Sequence, residues 1–384
     1  MMAWGRRGAL ILVAASLLSG CAQFPENPPG NFRSNPTLGA GPEPTPELPA
    51  TPQPSKPAGP AGDAPRTPPA PCADPDPAVV ATCLDPTAGL VLLPDGKSAL
   101  VTERRTGRLL KLAPQQAPVE LARLPVNGEA DGGLLDVALS PTYAQDGLIY
   151  LYLTTATDNR VMRIVVGDVP KPVLIGIPRG PQHNTGAITF DARGNLLVAT
   201  GDAGVAASAN DPTSLAGKLL RITATGTPAP GNPAASSPVV AAGLAEPGGV
   251  CTDAVSGASW LTDRTPTLDR LRSITANGSL GPDVWTWPDR PGAAGCAARQ
   301  GRISVSLTTG AALYVLTTAA NGSVTAPPEV LVKDRYGQLF GADVGPDGVV
   351  WAGSVNKAGG KPGATDDRVV RIQPPSGESG ASAA

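Results

Sequence analysis

One phrase recurs along this chain: an apolar run, a Gly/Asp turn, a second apolar run, and then, usually, a strand in which a cation sits among leucyl or β-branched residues. Six copies occur, over 90–112, 134–166, 187–222, 249–274, 303–332 and 339–372, with starts 44, 53, 62, 54 and 36 residues apart. Paired β runs joined by tight polar turns form antiparallel sheet. The spacing centres on the length of a four-stranded blade, so the repeats predict an all-β, six-bladed β-propeller. A β-sandwich gives six similar units no reason to be six, and a solenoid wants a tighter period. The copies close on similar phrases such as LLKL, VMRI, LLRI and VVRI. Their cations Lys111, Arg163, Arg221 and Arg371 are expected to face solvent or a blade edge while the apolar positions face neighbouring sheets.

The third copy carries most of the chemistry. It holds the chain's one histidine, His183, just ahead of an apolar run, an Arg-Gly-Asn turn and the Gly201-Asp202-Ala203-Gly204 turn. Asp202 is expected to close that turn by accepting from backbone amides. Gly217-Lys218 lacks the rest of a phosphate loop and reads as a strand entry. Trp285 and Trp287, alternate residues on one strand face, are expected to pack between blades. No Gly-x-Ser-x-Gly elbow or paired-carboxylate signature supports hydrolysis.

The first 20 residues read as an export leader. Arg6 and Arg7 precede an apolar segment, Ala9 to Leu18, too short to span a bilayer, and Leu18-Ser19-Gly20-Cys21 follows. That tetrapeptide resembles a bacterial lipobox, which implies acylation of Cys21, cleavage before it, and a protein tethered to the outer side of the cell membrane through its lipid. Residues 22–71 then hold 16 of the 44 prolines and almost no large apolar residues. Such a segment cannot bury enough surface to offset its ordering entropy, so 21–71 is expected to be a disordered stalk. The propeller is expected over 72–374 and a disordered tail over 375–384.

With Cys21 lipidated, Cys72, Cys83, Cys251 and Cys296 remain, an even set in a compartment where disulfides persist. The expected pairs are Cys72 with Cys83, tying the N-terminal edge, and Cys251 with Cys296, pinning a long loop of the fourth blade. A single histidine and no Cys-x-x-Cys argue against zinc. A net charge of −2 with 16% charged residues leaves no basic footprint for nucleic acid.

His183-Asn184-Thr185-Gly186, the run DARGNLLVATGDAG, and LAGKLLRI resemble the glucose/sorbosone dehydrogenase family, as do Asp131 to Pro141 and Val344 to Gly348. The whole chain, with leader and stalk, is similar to a family of mycobacterial lipoproteins. The first resemblance implies a six-bladed propeller and, in active members, pyrroloquinoline quinone with Ca²⁺. It implies His183 as the base taking the proton of a sugar's anomeric hydroxyl, assisted by Gln182 and Asp131. It also implies a Ca²⁺ loop at Thr265, Pro266 and Asp269, with Arg270 replacing a second acid.

The chain departs from the family where cations should meet the tricarboxylate cofactor. Leu244-Ala245-Glu246-Pro247 stands for His-Arg-Asn-Pro, Gln338 to Ala342 holds no arginine, and Ser304 to Thr309 holds no lysine. The residues therefore favour an envelope lipoprotein whose propeller has lost catalysis and the cofactor, and which binds an envelope protein, a glycan or a small molecule. The alternatives are a working quinone- and Ca²⁺-dependent aldose dehydrogenase with His183 as base, and a structural envelope platform.

Overall fold

The computed structural model describes residues 72–375, except 320, 321 and 325. The leader, Cys21, the stalk to residue 71 and the tail beyond Pro375 lie outside the described residues. Among the described residues no helix is long and apolar enough to cross a membrane.

The described strands form six antiparallel sheets of four strands each, one sheet per blade. The first strands of blades 1 to 6 are Thr87–Leu92, Leu134–Leu139, Gly186–Phe190, Glu246–Thr252, Ala293–Arg299 and Leu339–Val344. They pack side by side around the axis of the ring. Their starts lie 47, 52, 60, 47 and 46 residues apart, a more even period than the sequence suggested. The difference comes from the fifth blade, which begins at Ala293 and not at Ile303. Its first strand reads Ala-Ala-Gly-Cys-Ala-Ala-Arg, side chains too small to register as an apolar run. They are small because the inner strands converge: a Cβ at Gly295 would press on the backbone of Phe340 and Gly341 in the next blade.

Second strands are buried along their whole length in Ala99–Glu103, Ile149–Thr154, Leu196–Thr200 and Val350–Ser354, and at all but one end residue in Ser259–Arg264 and Arg302–Leu307. Each is covered on both faces by neighbouring blades, so it reads as a continuous apolar run and not as alternation. Fourth strands at the rim, such as Val119–Arg123 and Glu329–Leu331, are mostly exposed. Blade 6 takes its outermost strand from the front of the chain, because Val79–Ala81 pairs antiparallel with Val369–Ile372. That pairing closes the ring.

Both expected disulfides are present. Cys72–Cys83 brackets the closing strand. Cys251–Cys296 joins the first strands of blades 4 and 5, so it clamps a seam between blades and does not pin a loop. Among the repeat cations Lys111 is exposed, but Arg221 is buried and its Nε meets Asp191 Oδ2 at 2.7 Å. The expectation of a solvent-facing cation fails there because Asp191, in the turn after Gly186–Phe190, supplies a counter-ion. Lys218 opens the strand Lys218–Ile222 as expected, its ammonium donating to the carbonyls of Ser208, Ala209 and Ala216. Trp287 is buried and Trp285 packs on the same cluster, between blades 4 and 5.

Candidate functional site

The starts of the inner strands, with the loops leading into them, surround a cavity of about 420 Å³. Arg104, Arg264, Arg290, Asp131, Glu246 and Asp269 bring charge to its wall. Ala245 and Glu246 supply no cation, as the sequence indicates. Yet the expectation of a site without a cation cluster is corrected, since three arginines from other positions reach it. Family motifs gave no signal for them. Each lies at a strand end or in a loop, where only the closed ring brings them together.

Their commitments differ. Arg104, just past Ala99–Glu103, donates through Nη1 to the carbonyls of Ala130 at 2.9 Å, Gly132 at 2.6 Å and Gly128 at 3.4 Å. Burial lowers its pKa, opposed by the nearby Asp131. Arg264 ends the strand Ser259–Arg264 directly opposite Glu246, and its Nη2 meets Glu246 Oε1 at 2.6 Å. Its guanidinium carbon also stands 6.0 Å from the centre of the Phe340 ring. Arg290, in the loop before Ala293, adopts φ 51°. Among the described residues its guanidinium has no ion-pair or hydrogen-bond partner.

Of the acids, Asp269 is buried and accepts at Oδ2 from the amides of Gly292 at 2.6 Å and Ala293 at 2.9 Å. Asp131 accepts from Asn184 Nδ2 at 2.8 Å and from the Asn184 amide at 3.2 Å. It is thereby tied to the residue after His183. Thr185 also lines the cavity, and its Oγ1 is buried with no hydrogen-bond partner.

His183 sits in the segment before the first strand of blade 3, at φ 56°, with its side chain 27% exposed. Its Nδ1 lies 2.8 Å from Asp202 Oδ1. Against a carboxylate the ring Nδ1 donates, and in the neutral tautomer this leaves Nε2 as the acceptor. Asp202 also accepts from the Gly204 amide at 2.8 Å, so it closes its turn and orients the imidazole together. Gly201 is required here, because a Cβ would overlap the His183 carbonyl. Gln182 packs over Gly204, where a Cβ would lie 3.0 Å from its Cγ. Asp131 is part of the cavity wall; His183 and Gln182 are not among its lining residues.

Thr265 and Pro266 form the tight turn between Ser259–Arg264 and Asp269–Ile274. The Thr265 amide donates to the Leu268 carbonyl at 2.9 Å, and Thr265 Oγ1 caps the same residue. Of the suggested Ca²⁺ loop only Asp269 lines the cavity. Among the described residues no three His, Cys, Asp or Glu side chains converge as metal ligands do. Arg270 is paired with buried Asp263 at 2.8 Å, and burial raises the Asp263 carboxyl despite that partner.

A second cavity, about 460 Å³, lies along the other halves of the same inner strands and shares Ala88, Leu135 and Phe340 with the first. No lysine or arginine among the described residues lines it. Asp136 accepts from the amides of Val137 and Ile188, and Asp343 from those of Val344 and Leu92. Burial pushes Asp136 up to about 7, with Asp343 adding to the rise, and pushes Asp343 up to about 6.

Residues 84–289 match the family described as Glucose / Sorbosone dehydrogenase. Aldose sugar dehydrogenase YliI of Escherichia coli K12 is 30% identical over 224 residues, which span 53% of this chain and 60% of that protein. Among solved structures, the PQQ-bound form of aldose sugar dehydrogenase from Streptomyces coelicolor is 31% identical with a TM-score of 0.71. The alignment covers 76% of this chain and 95% of that one. A putative oxidoreductase (glucose dehydrogenase) from Thermus thermophilus is 30% identical, with a TM-score of 0.70 and coverage of 76% and 98%.

Proposed function

Because the chain belongs to the glucose/sorbosone dehydrogenase family, we propose that it retains the family's cavity as a ligand-binding pocket without the fit to its quinone. The Arg264–Glu246 pair carries this reading. A quinone tricarboxylate needs several uncommitted cations. Here Arg264 is neutralised within the wall, Arg104 is committed to three backbone carbonyls, and three carboxylates stand beside the three arginines. The residues present do not fit that group, so no reaction step is routed through it. The ligand is a glycan, a small molecule or a segment of an envelope protein, and a lipid on Cys21 holds the propeller at the outer face of the cell membrane.

One observation favours a second reading, a quinone-dependent aldose dehydrogenase. The Asp202-oriented His183 has the arrangement a general base needs, and the Streptomyces coelicolor relative was solved in a PQQ-bound form. Calorimetry with pyrroloquinoline quinone and Ca²⁺, followed by dye reduction with aldoses, separates the two. Absence of heat and of turnover at high micromolar cofactor supports the binding propeller. Tight binding with turnover that His183→Ala abolishes replaces it with the enzyme. Release from the membrane fraction on Cys21→Ala tests the anchor.

A further inference from the structure

We infer that the Cys72–Cys83 disulfide is a redox lock on the first cavity: opening it frees the segment that closes the ring and loosens the part of the cavity wall bonded to that segment. The lock is a property of the wall and holds for whichever ligand the cavity takes. The two disulfides differ in access. Cys251 and Cys296 are each 5% exposed and packed between blades. Cys72 is exposed, ahead of the outermost strand of blade 6, and exposed disulfides are the labile ones. A dithiol reductant therefore opens this one first. Its first thiolate attacks the Cys72 sulfur as Cys83 leaves, and its second thiol then displaces Cys72. The reductant ends as a disulfide, and two electrons and two protons have passed to the cysteines.

What the lock restrains is short. It closes a loop that holds Val79–Ala81, three residues paired with Val369–Ile372. Beside that strand, Asp74 meets Arg368 at 3.3 Å and Asp76 meets Arg335 at 2.9 Å. A cross-link over 11 residues restricts the detached state of this loop, so without it local opening rises about a hundredfold. From the lock, one path of bonds leads to the cavity. Cys83 donates its amide to the Thr365 carbonyl at 2.9 Å, and Leu84 and Asp367 exchange amide-to-carbonyl bonds of 3.0 and 3.1 Å. The buried Asp367 carboxylate accepts from the amides of Asn356 and Lys357, and Lys357 Nζ donates to the Leu84 carbonyl at 2.6 Å. These residues form the turn Asn356–Ala358, and Ala358 and Gly359 line the first cavity. Fraying that passes Cys83 and reaches Leu84 removes partners of Asp367 and Lys357 together.

The test is hydrogen exchange read by mass spectrometry on the full chain in detergent, before and after dithiothreitol, with free thiols counted by alkylation. Mild reduction is expected to free Cys72 and Cys83 and to leave Cys251–Cys296 closed. Exchange then rises about a hundredfold at the amides of Cys83, Leu84 and Asp367 and about tenfold at Asn356 and Lys357, with Leu196–Thr200 in blade 3 unchanged. Cys72→Ser with Cys83→Ser reproduces the pattern without reductant. Unchanged exchange at Asn356 and Lys357 in the reduced protein overturns the inference, since the disulfide is then a staple of the chain's entry alone. Release of the Cys251 and Cys296 thiols alongside, or a rise that extends to Leu196–Thr200, overturns it as well.

Discussion

The two cavities along the propeller axis are built on the same six inner strands and differ in where their charge comes from. Around the first, Arg104, Arg264 and Arg290 stand at strand ends or in loops, beside acids that partly answer them. Along the second, Asp136 and Asp343 project from the inner strands themselves and bond to the backbone of the next blade at Ile188 and Leu92. Blades 2 and 3, 6 and 1, and 4 and 5 are thus each fastened, the last pair by Cys251–Cys296. The contrast separates duties. The acidic end fastens seams, and the mixed-charge end leaves arginines and acids facing an open cavity.

The largest break should come at the acidic end. Cys251→Ser with Cys296→Ser removes a cross-link spanning 45 residues of sequence and is expected to cost ~4 kcal/mol in denaturant unfolding, with little effect on ligand affinity. Arg221→Ala leaves Asp191, which lines the same cavity, without its counter-ion. A loss of about 3 kcal/mol is expected by the same measurement.

The pH dependence is set by both directions of shift. Asp136 and Asp343, raised to about 7 and about 6, hold protons that the unfolded chain releases. Their contribution is therefore full below the ordinary aspartate range and is lost as pH rises through 6 and 7. Asp158 runs the other way. Its burial is outweighed by bonds from the Gly176 amide, Thr155 and Arg160, so its pKa is lowered and its contribution disappears as pH falls below the ordinary range. Unfolding followed from pH 4 to 8 should show stability falling by a few kcal/mol from about pH 4 and levelling off above about pH 7. A flat profile would mean that the acidic end carries no strain from its carboxylates.

The smallest effect sharpens the comparison at the other end. Glu246→Gln leaves Arg264 without its anion, and the partly exposed pair contributes only about 0.5 kcal/mol to folding. Affinity for pyrroloquinoline quinone should rise about tenfold by calorimetry, because a cation becomes free in the wall. An unchanged affinity would mean that charge balance is not what excludes the cofactor.

Much of this was legible in the residues. Second strands announced themselves because burial on both faces demands unbroken apolar runs, as in Ile149–Thr154. His183 and Asp202 were visible as a lone histidine and a turn acid, though not as partners 19 residues apart. The first strand of blade 5 was missed because convergence at the axis selects alanine and glycine, which carry no strong pattern. The rim strands were equally faint, exposed as they are to solvent.

By itself the sequence pointed to the number of blades and to both disulfide pairs. Periodicity, parity and motif are local properties, readable one segment at a time. Only the tertiary structure decided that Val79–Ala81 closes the ring, that Cys251–Cys296 spans two blades, and that Arg104, Arg264 and Arg290 share one cavity. These depend on which strand ends meet when six sheets close into a circle, a constraint that no single repeat contains.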